Sequence, residues 1–494
     1  MLQLMNSELC TLFRIESRKV CYGFVARNAD PVWYITNHKK DLDGQRICAA
    51  LLQNRNCPKG DNFEWEIEIP EGHTVDKKEP SVDSGNFNIL HLSDFHYDPM
   101  YTPGKNVACE DALCCQSDSD DPKDSSDACG YWTEYKNADI PWHTVEELLK
   151  QVKNHDFDFV YFTGDIISHR VWSTSIESNT QAIKEVYQLF RDKFSVPVFS
   201  NSGFSTDVTD PNISTSWLFN LVAEEWSSWL PKSALETIRD GGYYTVSPRP
   251  GFRIIVLNSN VCFTLNWWLI YDDFDPYNQL SWLAKTLLES EQNGESVHIL
   301  SHVPSGDGSC LQVWSREFNK IVQRFANTIT GHFNGHTHMD EFQVFFNQSN
   351  PSEAVNVAYN GASLVTWDDS NPSYKVIEVN NETYTLNDIV EWTFNLTEAN
   401  LSPEISPNWY KLYSFKQAYN LADLKPKTVG NLLYTMAKNH TLLEQFNNFR
   451  FRNSDNKQTC DQKCQRDVLC VVSVTLFGNN DKCNELQNIF DENL

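Results

Sequence analysis

Positive charge is scarce in this chain. Lys and Arg number 40 against 66 Asp and Glu, a formal net charge of −26. Such a chain lacks the basic footprint of a nucleic-acid binder, and the plain reading of its acidity is solubility and tolerance of low pH. Long apolar runs are also missing. No stretch of about 18 apolar residues occurs, so no transmembrane helix is expected. The fourteen cysteines include no C-x₂-C unit, which argues against a zinc ribbon. The opening Met1-Leu-Gln-Leu-Met-Asn-Ser-Glu has neither a basic start nor an apolar core, so no signal peptide is visible. Internal repeats and low-complexity tracts are absent as well.

What is present is an ordered set of polar residues, each just past an apolar run. Phe87-Asn-Ile-Leu-His-Leu leads to Asp94-Phe-His96, and Phe157-Asp-Phe-Val-Tyr-Phe leads to Gly164-Asp165. Val196-Pro-Val-Phe leads to Asn201, and Val297-His-Ile-Leu leads to His302. Gly335-His336-Thr-His338 follows. Short runs rich in Val, Ile and Phe, closed by Gly, Ser or Pro, read as buried strands. Segments with helical spacing lie between them: 145–152, 182–194, 280–288 and 318–325. Alternating strands and helices predict an α/β layered domain with several parallel strands, whose functional crevice lies at the strands' carboxyl ends.

All seven of these side chains fall at such ends. Oxygen ligands (Asp94, Asp165, Asn201) mixed with imidazoles (His96, His302, His336, His338) suit Zn²⁺, Mn²⁺ or Fe better than Ca²⁺ or Mg²⁺. Two metal ions are the simplest reason to gather seven ligands from five segments.

The order D-x-H, G-D, N, H, G-H-T-H resembles that of the calcineurin-like metallophosphoesterases. Leu92-Ser-Asp-Phe-His-Tyr-Asp-Pro, Gly164-Asp-Ile-Ile-Ser-His-Arg-Val-Trp172 and Gly335-His-Thr-His-Met-Asp-Glu-Phe narrow the resemblance to the acid sphingomyelinase family. It runs from about Cys10 to the last cysteine cluster. It implies a metallophosphoesterase β-sandwich flanked by helices over 86–384, preceded by a linker at 71–85. It also implies a partial saposin-like helical segment over 1–70 and a helical, disulfide-bearing C-terminal subdomain over 385–494. The implied pairs are Cys109–Cys114, Cys115–Cys129, Cys262–Cys310, Cys460–Cys464 and Cys470–Cys483. Cys10 and Cys21 would be the inner saposin pair, while the partners of Cys48 and Cys57 would lie upstream of Met1.

The same resemblance implies hydrolysis of sphingomyelin to ceramide and phosphocholine by a hydroxide activated by two Zn²⁺. Asp165 would bridge the ions. Asp94, His96 and His338 would complete one site, and Asn201, His302 and His336 the other. His169, four residues past Asp165, matches a family histidine that protonates the leaving group. Trp367 falls where the family places an aromatic beside the substrate, and aromatic faces bind quaternary ammonium groups such as choline. Core packing is an equally good reading of Trp367.

One departure matters. The family's Gly-Asn-His-Glu is Ser200-Asn201-Ser202-Gly203 here. Losing the charged histidine at 202 costs about 10² to 10⁴-fold where it acts as acid or electrostatic donor. Three functions therefore stand: sphingomyelin hydrolysis, nucleotide phosphodiester hydrolysis, and a non-catalytic secreted lipid-binding protein. Nearby residues have plainer readings. His91 and His298 read as core, Trp267 and Trp268 as core packing, and His332 as an orienting partner for a metal-bound imidazole.

Six N-x-S/T sequons (Asn212, Asn347, Asn381, Asn395, Asn400, Asn439) and the clustered cysteines favour a secreted or lysosomal setting, with a truncated start as the expectation. The expected partner is sphingomyelin or a related phospholipid at a membrane surface, met by a monomer.

Overall fold

The computed structural model describes residues 8, 10–53, 64–71, 81, 84–200, 213–361 and 363–493. Two six-stranded mixed sheets organise the described residues. The strands are β1 (Asn86–Leu92), β2 (Phe159–Phe162), β3 (Val198–Ser200), β4 (Tyr244–Arg249), β5 (Phe252–Val256), β6 (Ser296–Leu300), β7 (Ile329–Phe333), β8 (Phe342–Phe346), β9 (Ala354–Tyr359), β10 (Ser373–Asn380), β11 (Leu386–Thr393) and β12 (Tyr410–Ser414). The first sheet runs β12-β11-β10-β1-β2-β3 and the second β4-β5-β6-β7-β9-β8.

The central strands are parallel: β1 with β2 and β2 with β3 in one sheet, β5 with β6 and β6 with β7 in the other. Their sequences are largely apolar because both faces are covered. All four residues of β2 and all five of β5 are buried. The antiparallel β11 lies nearer the edge and alternates between buried and half-buried positions. The sheets pack face to face. The Phe87 and Phe252 ring centres lie 6.3 Å apart, those of Tyr161 and Phe333 5.3 Å, and the Tyr161 hydroxyl meets His298 Nδ1 at 2.8 Å. This is the sandwich that the resemblance implies, built on the parallel strands that the strand pattern predicts.

Helices cover the outer faces. Trp142–Gln151, Ile176–Lys193, Gln279–Gln292 and Gln312–Arg324 fall on the four segments read as helical. The helix Ile176–Lys193 opens on a capping box at Ser175 and Ser178 and turns Ala182, Ile183, Val186 and Phe190 inward at helical spacing.

Two expectations change. The region 385–494, expected to be a helical subdomain, begins with β11 and β12, which pair in turn onto β10 and extend the first sheet beyond residue 384. Pairing and burial against neighbouring strands decide strand formation there. Cys48 is disulfide-bonded within this chain, so its partner is not upstream of Met1; that partner lies outside the described residues. The five other implied disulfides and Cys10–Cys21 are all present.

Near the amino end, helices Arg18–His38 and Gly44–Leu52 rest on the sandwich. Tyr34 packs against Trp268 and Tyr271, and Arg46 pairs with Asp273 at 2.5 Å. Toward the carboxyl end, helices Pro426–Ala437, His440–Arg450, Gln462–Val471 and Asp481–Asp491 pack on β8 and β9 and on one another.

Candidate metal centre

The backbone at the strand ends is bent into an uncommon shape. Asp94, His96, Asp165, His336 and His338 have φ of 49°, 41°, 52°, 78° and 58°. Non-glycine residues rarely sit there, and such strain persists only where surrounding structure enforces it. The enforcing contacts run between loops. The N–H of Asp94 donates to the Gly164 carbonyl at 2.9 Å, and those of Phe95 and His96 donate to the Asp165 carbonyl at 2.8 and 3.0 Å. The His336 N–H donates to Asp94 Oδ1 at 2.8 Å. Gly335 is required by space. A Cβ there would collide with Ser93 Oγ and lie 2.8 Å from Asp94 Oδ2 and 3.0 Å from His302 Nδ1.

The side chains converge. His96 Nδ1 donates to the Ile167 carbonyl at 2.9 Å, so its Nε2 faces inward, 3.2 Å from His338 Nε2 and 3.5 Å from Asp165 Oδ2. His302 Nδ1 donates to the Thr163 carbonyl at 2.8 Å, leaving Nε2 2.9 Å from the same Asp165 oxygen. Carbonyl partners of this kind orient metal-binding imidazoles. Three overlapping groups bring their ligand atoms within 4.8 Å of one another: Asp94, His96 and Asp165; Asp165, His302 and His336; His96, His169 and His338.

These residues fit a bound metal. Asp94 is fully buried, and its Oδ2 has no hydrogen-bond partner among the described residues. A buried carboxylate oxygen is stable only when paired or bound to a cation. Burial and neighbouring imidazoles hold His96, His336 and His338 below the ordinary histidine range, which leaves neutral rings with lone pairs to give. His302 is the exception, pushed up to about 9. Burial opposes its charge, but the Asp165 carboxylate outweighs burial.

The matched families decide what this cluster belongs to. Residues 87–340 match the calcineurin-like phosphoesterases, and 352–484 match the acid sphingomyelin phosphodiesterase C-terminal region. The chain is 35% identical to the sphingomyelin phosphodiesterase of Bos taurus, covering 94% of this chain and 76% of that protein. This chain belongs to the acid sphingomyelin phosphodiesterase family of calcineurin-like phosphoesterases. It is also 31% identical to sphingomyelin phosphodiesterase 2 of Caenorhabditis elegans (97% and 83% covered). Identity to a cyclic GMP-AMP phosphodiesterase of Mus musculus is 30% (77% and 88% covered).

Beside the cluster sits His169. Its Nδ1 lies 2.7 Å from Asp139 Oδ1, and its N–H donates to Asp139 Oδ2 at 2.7 Å. The ring stacks on His96 at 3.8 Å and meets the Trp367 ring at 4.3 Å. Burial works against a charge on His169, but Asp139 more than compensates and raises its pKa. The structure thus gathers Asp94, His96, Asp165, His302, His336, His338, His169 and Trp367. Asn201 and Ser202 lie outside the described residues.

His332 does not orient a ligand. Strand alternation turns it to the other face of β7, where its ring lies 5.6 Å from both Phe318 and Phe345. His91 and His298 are fully buried core residues, as read. Trp268 packs partly on Tyr34 of the amino-terminal helix.

The sequence reading missed three groups. Asp139 resembles any acidic residue before a helix. Ser309 meets His336 Nε2 at 2.9 Å, and no local motif marks it. Arg452, fully buried in the carboxyl-terminal region, donates to the carbonyls of His338 and Asn371 at 2.6 and 2.7 Å. It ties that region to both the His338 loop and the turn carrying Trp367.

Two cavities open on the centre. One, of about 340 Å³, has site residues as its floor and Ile167, Val171, Ile183, Trp217, Leu218 and Phe263 among its walls. The other, of about 570 Å³, lies beyond His336 and His338 and is lined by Asp307, Glu341, Asp368 and Trp367.

Proposed function

We propose that this protein hydrolyses sphingomyelin to ceramide and phosphocholine. Family membership with two sphingomyelin phosphodiesterases among its relatives carries the reading, and the buried Asp94 Oδ2, without a hydrogen-bond partner among the described residues, supports metal-dependent chemistry. Asp94, His96 and His338 would hold one ion and Asn201, His302 and His336 the other, with Asp165 shared. The donor set favours Zn²⁺. When bound, such a pair supplies Lewis acidity at the phosphoryl oxygens and lowers the pKa of water.

The remaining work falls to side chains. As water oxygen attacks phosphorus, the bond to the ceramide oxygen breaks, and that oxygen needs a proton. His169 is the proposed donor. Asp139 occupies its Nδ1 and favours the protonated ring by raising its pKa, which leaves Nε2–H as the proposed donor. Trp367, packed on His169, offers an aromatic face to the choline cation.

Lipid delivery is proposed for the amino-terminal segment made of Leu12, Phe13, Ile15 and the helix Arg18–His38 that follows them. Leu12, Phe13, Ile15 and Trp33 are 74%, 71%, 68% and 64% exposed. Exposed apolar clusters mark interaction surfaces, and here a bilayer is the proposed partner. No described helix is long and apolar enough to cross a membrane. The disulfides support secretion or a lysosomal setting.

The mouse cyclic GMP-AMP phosphodiesterase favours a second reading, nucleotide phosphodiester hydrolysis. The deciding experiment measures turnover of sphingomyelin in vesicles and of a cyclic dinucleotide, with bound metal counted. Preferential sphingomyelin turnover is expected. Preference for the dinucleotide overturns the lipid reading, and two bound metals with no turnover of either make the chain a pseudoenzyme.

A further inference from the structure

The loop after His302 carries a short relay aimed at His336. Asp307 Oδ1 accepts from the Ser309 hydroxyl at 2.5 Å and from the Ser309 N–H at 2.7 Å. The same hydroxyl lies 2.9 Å from His336 Nε2. A serine hydroxyl has one proton, and an ionised carboxylate can only accept. The proton is therefore committed to Asp307. Toward His336 the hydroxyl acts as acceptor, so Nε2 carries the ring proton and Nδ1 keeps the lone pair.

This loop is firmly mounted. Phe263 and Cys310 form an isolated antiparallel bridge, stapled by the Cys262–Cys310 disulfide. Thr264 N–H donates to the Ser309 carbonyl at 2.7 Å, and Leu311 N–H to the Cys262 carbonyl at 2.6 Å. The Phe263 ring stands edge-on to His336, centres 5.6 Å apart at 82°. On the other side Ser305 Oγ donates to the Thr475 carbonyl at 2.7 Å, and a Cβ on Gly306 would collide with the Val474 carbonyl. Ser309 therefore reaches His336 from a support that cannot easily turn away.

We propose that Asp307 and Ser309 are positioning residues that set the tautomer of His336 and present its Nδ1 to the ion shared with Asp165 and His302. This rests on the two-metal reading above. Partners of this kind are worth about 10- to 100-fold in metal affinity.

The test is chelator competition on zinc-loaded wild type, S309A, S309T and D307N, with the visible spectrum of the cobalt-substituted forms and the melting of each apo protein. One of two ions should bind about 10- to 100-fold more weakly in S309A. D307N should move the same way, and S309T, which keeps the hydroxyl, should restore affinity. The cobalt spectrum should change in S309A and D307N while apo melting stays at the wild-type value. Should S309A fail to fold, D307N and S309T decide. Two ions held with wild-type affinity and spectrum in S309A and D307N overturn this inference alone. Equal weakening of both ions, with lowered apo melting, overturns it too, since that is a merely structural effect. Wild type that takes up fewer than two ions overturns the two-metal reading and this inference together.

Discussion

Asp139 grips His169 at two points, the ring Nδ1 and the backbone N–H, each at 2.7 Å. The grip fixes which ring nitrogen faces the cluster and which charge state the ring prefers. The carboxylate is buried, which by itself would raise its pKa, yet the His169 cation holds it below the usual range. Each partner thus stabilises the other's charged form. The sign follows. The His169 contribution is fully present below its unfolded pKa and is lost as pH rises through its raised folded value. The Asp139 contribution is present above its unfolded pKa and is lost as pH falls through its depressed one. Between those limits the pair is charged and intact, which includes mildly acidic pH.

Replacing His169 with Ala should lower kcat by about 10² to 10⁴-fold, the range for a positioned general acid. Asp139→Asn should cost less and do something His169→Ala cannot. It should move the limb of the pH–activity profile set by protonated His169 toward lower pH, because the anion that raises the pKa is gone. An unmoved profile would assign the proton to another group.

Asp165→Asn should lose at least one bound metal, since both His96 Nε2 and His302 Nε2 point at the same Asp165 oxygen. Metal content by mass spectrometry after zinc loading is the measurement. Two ions per chain in that variant would remove Asp165 from the bridging role.

Trp367→Ala should raise KM for sphingomyelin while leaving KM for a phosphodiester without a cationic head unchanged. A cation–π contact is worth about 0.5–2 kcal/mol, or about two- to thirtyfold in KM. Equal losses on both substrates would show that Trp367 acts by packing on His169 instead.

Ser202→His should raise phosphodiesterase activity by about tenfold, which corresponds to roughly 1.4 kcal/mol of transition-state stabilisation. The expectation rests on sequence: the new imidazole would neighbour Asn201, where the family carries it. Wild-type turnover that is already high and does not change would mean that another residue supplies the role.

The sequence by itself determined the α/β class, the strand ends that carry Asp94, Asp165, His302 and His336, and the chemical type of the centre. Each of these is written locally. A buried parallel strand needs an unbroken apolar run, the residue after it lies at the sheet's carboxyl edge, and aspartate and histidine keep their donor atoms wherever they are placed. Only the tertiary structure decided that Asp139 faces His169, that Ser309 reaches His336, and that Arg452 ties the carboxyl-terminal helices to His338. It also decided that β12 is a strand and that His332 turns to the aromatic core. These outcomes depend on which loops meet across two sheets. No spacing along one segment encodes such a meeting, because a single hydrogen bond between distant residues follows from the packing of everything between them.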